Sequence, residues 1–305
     1  MYSRSPVEAG RKWKSDAVVR LILSVIVCIC GGSVVAAAAN FASSSAPTNV
    51  VLFYAVALAA LGCLGTTLWL VNSKWPTESI VRRLAITLIL FYSGLFAGAW
   101  MHRIAGPAGI SVFQMVLSTV SFHGAILALT PVFLNWHERS LEEAFGLANN
   151  LRASVIAGII LALVFLPLGL SLQHTSALVL DHLQRFGVHA EEQASVQTLR
   201  IASSWAARVT LGVVTILLAP VAEEVLFRGV LYSWVKQAGF PRLALWSTSL
   251  LFAAVHFNAL TLVPLLLLSL LLTLIYERTA NLAAPIAAHA SFNGLNFAML
   301  YLLSR

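Results

Sequence analysis

Two adjacent carboxylates, Glu223 and Glu224, stand with Arg228 in a stretch that is otherwise apolar from Val209 to Tyr232, and His256, His289 and Asn293 follow inside equally apolar segments. Charge at membrane depth costs roughly 2.5 to 3.5 kcal/mol per group on insertion scales, so ionisable residues there face one another or a wet cavity and mark a functional site. Residues four apart share a helix face, so Glu224 and Arg228 can neutralise each other, while Glu223 points about 100° away. Glu223 is then the carboxylate left to take a proton. For Glu224 and Arg228 the structural reading, a buried clamp between helices, is the better one.

His256 closes the run Phe252 to His256; standing alone, it would read as a hydrogen-bonded core histidine. His289 and Asn293 lie one turn apart on one helical face. Both can donate hydrogen bonds toward the same point, as an oxyanion hole requires. Other polar residues take plainer readings. His123 is a core residue, Arg208, Glu277 and Arg278 reach from segment ends to the interface, and Trp75, Trp100, Trp136 and Trp246 fit an aromatic belt.

The elements that must hold these groups are membrane helices. Of 305 residues, 59% are hydrophobic and only 10% charged, whereas a soluble domain carries about 25% charged residues. The apolar residues run continuously rather than alternating, which excludes a β-barrel. Apolar segments fall near 17–39, 50–72, 84–104, 112–135, 154–173, 205–235, 243–257, 260–276 and 281–303. The expected fold is therefore an all-α, polytopic bundle of eight or nine helices, some short or re-entrant. The polar loop 136–152 has room for a short interfacial helix. The polar stretch from His174 to Ser203 is expected to divide an N-terminal transmembrane region, 1–202, from a C-terminal core, 203–303.

The net charge of +7 does not point to nucleic acid, because Arg4, Arg11, Lys12, Lys14 and Arg20 cluster before the first apolar segment. They read as an anchor with the N-terminus inside, in contact with anionic lipid of the plasma membrane. A cleavable leader is the rival reading, disfavoured because the apolar stretch from Ala17 to Ala39 exceeds the usual ~7 to 15 residues of a signal core. Cys28, Cys30 and Cys63 have neither metal-ligand spacing nor a disulfide framework.

Together, E-E-x-x-x-R at Glu223 to Arg228, F-x-x-x-H at Phe252 to His256 and H-x-x-x-N at His289 to Asn293 resemble the three motifs of the CPBP family, the CAAX proteases and bacteriocin-processing proteins. The resemblance covers about residues 203 to 303. It implies a multi-pass intramembrane endopeptidase acting on a peptide or protein substrate. Glu223 with His256 would activate water, His289 and Asn293 would stabilise the oxyanion, and Glu224 and Arg228 would support them. Family members are described both as metalloproteases and as glutamate proteases. A glutamate mechanism without cofactor is the preferred expectation here; zinc on Glu223, His256 and His289 is the alternative, since His2Glu with water is a known catalytic set. Two other readings compete: a proton-coupled transporter and a non-catalytic membrane scaffold or immunity protein. A transporter would string the polar groups along a path; a protease would cluster them.

Overall fold

The computed structural model describes residues 12–43, 62, 65–69, 119–183, 194–201 and 204–303. The expected segment 84–104, and nearly all of 50–72, lie outside the described residues. Every described element is helical: α1 (Ser15–Ser43), α2 (Ala125–Asn135, entered through a π turn at Val120–Gly124), α3 (Leu141–Phe145), α4 (Leu151–Leu183), α5 (Ala194–Ile201), α6 (Trp205–Gln237), α7 (Pro241–Ala254), α8 (Ala259–Thr279) and α9 (Ala283–Leu303). Among the described residues, four helices are long and apolar enough to cross a membrane: the first part of α1 (Ser15–Ser33), α4, α6 and α8. The chain is a helical membrane protein, with backbone bonds satisfied inside each span as lipid demands.

The chain compacts into two units, one of Met1–Trp13 with His137–Arg305, the other Lys14–Trp136. In the second, α1 and the entry to α2 meet closely. A Cβ on Gly32 would lie 1.8 Å from Ser121 Oγ, so only glycine allows that approach.

In the first unit α4 packs on both α8 and α9, and Phe165, Leu268, Leu272 and Ala288 are buried where the three meet. Gly158 permits the α4–α9 contact, since a Cβ there would stand 2.2 Å from the Ala284 carbonyl oxygen. Helix α4 thus packs with the C-terminal helices, and compaction follows a different line from the functional boundary expected at 202/203.

One sequence expectation needs correction and another is met. The stretch from His174 is not uniformly a polar connection, because α4 continues to Leu183. The hydroxyls of Ser171 and Thr175 bond back to the Pro167 and Ser171 carbonyls, so these residues stay polar-satisfied within the helix. The loop after Trp136 does hold a short helix, α3, closed by a reciprocal capping box between Ser140 and Glu143.

One end of this unit gathers its connections. Asn281 Nδ2 donates to the Asn149 carbonyl, the Leu282 amide to the Phe145 carbonyl, Lys236 pairs with Glu277, and the Trp13 amide donates to Gln237 Oε1. Helices α7 and α8 leave and return to this end as an antiparallel hairpin. With 14 residues, α7 reaches only about 21 Å, short of a ~30 Å hydrocarbon core.

Candidate active site

The acidic motif sits on the straight part of an otherwise widened helix. In α6 the α-helical segment Ala219–Glu224 is bracketed by π-helical stretches, Val214–Leu218 and Val225–Tyr232. Such π segments concentrate at functional sites, and they leave gaps in the backbone ladder that other donors fill. The first one has a legible cause. Ala219 N–H bonds five residues back to the Val214 carbonyl, and the next such bond, from residue 220 to Thr215, has no donor because residue 220 is proline. Asn293 Nδ2 of α9 supplies it, donating to the Thr215 carbonyl at 2.9 Å.

Glu224 and Arg228 pair at 2.9 Å, fully buried at 0% and 1% exposure, as their i,i+4 spacing requires. The guanidinium does more than the spacing foretold. Nη2 donates to both the carbonyl and the hydroxyl of Ser269 on α8, and the group lies 4.7 Å from the Phe252 ring centre. Arg228 therefore ties α6 to α7 and α8.

His289 comes from α9, about 9 Å past that helix's start at Ala283. Its Nδ1 bonds Glu224 Oε1 at 2.9 Å, while Nε2 lies 3.9 Å from Glu223 Oε2. A carboxylate oxygen that accepts from Arg228 accepts from the imidazole too, which places a proton on Nδ1. A second N–H, at Nε2, then exists only in the imidazolium form. Two acids, one guanidinium and one imidazolium would leave the buried cluster with no net charge.

His256 sits just past the α7 C-cap, Val255, so it belongs to the connection and not to a helix as its motif suggested. The next residue, Phe257, has a positive φ of 47°, a conformation uncommon outside glycine and recurrent at functional sites. His256 Nδ1 bonds the Phe252 carbonyl at 2.7 Å, which fixes the tautomer and leaves Nε2 with the lone pair. Phe252 is the common neighbour, with ring centres 5.1 Å from His256, 5.6 Å from His289 and 5.1 Å from Phe227.

The sequence placed His289 and Asn293 as donors to one point. Instead, one donor of each is directed elsewhere, to Glu224 and to the Thr215 carbonyl. Ser269, Phe252 as a hub, and the Thr215 carbonyl were missed; a lone serine inside the leucine run of α8 was the available signal. Gly294, the residue after Asn293, lines a mostly apolar groove of about 410 Å³ together with Ile159 and Leu163 of α4, Ile216 of α6, and Ala290, Ser291 and Leu295 of α9.

Residues 204–295 match the family described as type II CAAX prenyl endopeptidase Rce1-like. This segment is similar to the CAAX protease family. All three motifs lie within the matched residues. The chain is also 43% identical over 77 residues to the uncharacterized protein YpbD of Bacillus subtilis (strain 168), a stretch covering 24% of this chain and 36% of that relative. The match thus spans about a third of YpbD. No solved structure matches.

Among the described residues no three His, Cys, Asp or Glu side chains are gathered to hold a metal ion. His289 has one ring nitrogen engaged by Glu224, and His256 has one on a backbone carbonyl, so any ligation would have to use the two Nε2 atoms. Both Nε2 atoms stay available for ligation, as in zinc sites whose histidines are held through Nδ1 by a carboxylate or a backbone carbonyl.

Proposed function

We propose that this protein is an intramembrane endopeptidase that hydrolyses peptide bonds of membrane-associated proteins or peptides by a glutamate mechanism. The observation that carries this reading is the split between the two acids on either side of His289. Glu224 is engaged by both Arg228 and His289 through Oε1, and Glu223 faces the other imidazole nitrogen. Glu223 takes a proton from water, whose oxygen attacks the peptide carbonyl carbon. His256 Nε2, its lone pair set by the bond from Nδ1, orients that water. The tetrahedral oxyanion accepts from His289 Nε2–H and from the second N–H of Asn293. As the C–N bond breaks, Glu223 returns its proton to the leaving amine.

The mostly apolar groove lined by Gly294 suits a hydrophobic segment approaching from the bilayer. Orientation follows from charge. Arg139, Arg152, Lys236, Arg242 and Arg278 belong to the connections at the end where Trp13 binds Gln237, so basic loops and N-terminal segment share one side, the cytoplasmic one, as the positive-inside rule favours.

The test uses purified, detergent-solubilised protein with fluorogenic peptides, one carrying a farnesylated CAAX end and one unlipidated, before and after exhaustive chelation with metal analysis. Turnover retained in metal-free protein supports the glutamate mechanism. Turnover lost on chelation and restored by zinc rejects it, and no turnover of either peptide rejects the endopeptidase reading for these substrates.

A further inference from the structure

Gly229 follows Arg228 directly and is the point where two remote aromatics hold the second π segment of α6. Phe145 of α3 occupies the space a side chain would need, since a Cβ on Gly229 would lie 2.6 Å from the Phe145 ring. Trp13, only 5% exposed, approaches the same residue, and its indole Nε1 donates to the Gly229 carbonyl at 3.1 Å. Its own amide donates to Gln237 Oε1 at 2.7 Å, so one residue of the N-terminal segment grips α6 at two points eight residues apart. The neighbouring Arg228 carbonyl accepts from Ser233 Oγ at 2.8 Å. Side-chain donors thus feed two successive carbonyls of the π segment, where the helical ladder is interrupted.

That register decides where Arg228 points. If residues 225–232 relaxed to a regular α-helix, Arg228 and every later side chain would rotate relative to Glu224; the i,i+4 pair tolerates either register, but the guanidinium would turn away from Ser269 of α8. The indole ring is seated independently of its N–H. It meets the His137 ring edge-on at 4.8 Å and lies under the Arg139 guanidinium at 5.0 Å.

We propose that Trp13 is a positioning residue for the Glu224, Arg228 and His289 cluster, acting through its N–H on the Gly229 carbonyl, so that the segment before the first span is part of the working site. This rests on the endopeptidase reading for its kinetic consequence only. Trp13→Phe keeps an aromatic ring against His137 and Arg139 and deletes the donor. The expected result is kcat lower by about three- to tenfold, the scale of one lost hydrogen bond, with KM within about twofold. Amide hydrogen exchange should quicken in peptides spanning 225–237 and not in those spanning 283–303. Trp13→Ala, which also strips the ring packing, should add a loss of thermal stability. Unchanged exchange at 225–237 in the Phe variant overturns the proposal, as does an effect confined to KM or one seen only in the Ala variant. Exchange needs no substrate, so wild-type protein that cleaves nothing would sink the protease reading while leaving this one to be decided.

Discussion

The Nδ1 atom of His289 stands 2.9 Å from Glu224 Oε1, the same oxygen that receives Arg228 Nη1. One carboxylate oxygen thus joins two helices, accepting from a guanidinium and from an imidazole. The second acid of the pair, one residue earlier, meets the far side of the same imidazole. Adjacent residues of one type are thereby given unlike environments, which is how a single fold assigns separate roles to two carboxylates.

Arg228→Met should leave Glu224 buried without its counter-charge. Breaking a buried pair from one side costs about 3 to 5 kcal/mol, so thermal unfolding in detergent should show a large loss. Adding Glu224→Gln in the same chain should recover part of it. A double variant no more stable than Arg228→Met would show that the pair is not the relevant contact.

Ser269→Ala removes a hydroxyl that accepts from the guanidinium and leaves the Ser269 carbonyl in place. Expected is a modest destabilisation of about 1 kcal/mol with reduced turnover. An unaltered melting profile would mean that the backbone contact alone suffices to anchor Arg228.

Asn293→Ala should lower kcat by about 10²- to 10³-fold if its second N–H meets the oxyanion. It should also cost stability, because the Thr215 carbonyl loses the donor that Pro220 cannot be. Pro220→Ala restores a backbone N–H. In that background the stability cost of Asn293→Ala should shrink while the kinetic cost persists, and a double-mutant cycle measures both. Parallel recovery of rate and stability would reduce Asn293 to a tether.

Gly229→Ala should destabilise by about 1 to 3 kcal/mol through the collision with Phe145. Phe145→Leu, which shortens that side chain, should relieve it. Additive losses in the double variant would place the strain elsewhere.

Much of this was legible in residue spacing. Long apolar runs announced the spans, because a bilayer needs about 20 of them per helix. The i,i+4 pairing of Glu224 with Arg228 followed from helix periodicity, and it survives although the helix widens right after Glu224. What escaped depends on distant partners. Nothing in the pattern around Trp13 indicates a bond to a carbonyl 216 positions away, or that Ser269 would receive an arginine. The π segments were hidden for a related reason: Pro220 hints at one, but Asn293, from another helix, completes it. His256 was read as closing the apolar segment 243–257; the helix stops earlier, at Ala254, and Phe257 takes a left-handed conformation that apolar patterning does not predict.

Cleavage of a membrane-derived peptide by purified Glu223→Gln protein, beside wild type and Glu224→Gln, tests the central claim most directly. Glu223→Gln preserves size and should stay folded and membrane-inserted while its turnover falls by about 10²- to 10⁴-fold, the usual contribution of a general base. Glu224→Gln should lose stability along with rate. A folded Glu223→Gln protein that cleaves at the wild-type rate would contradict the account.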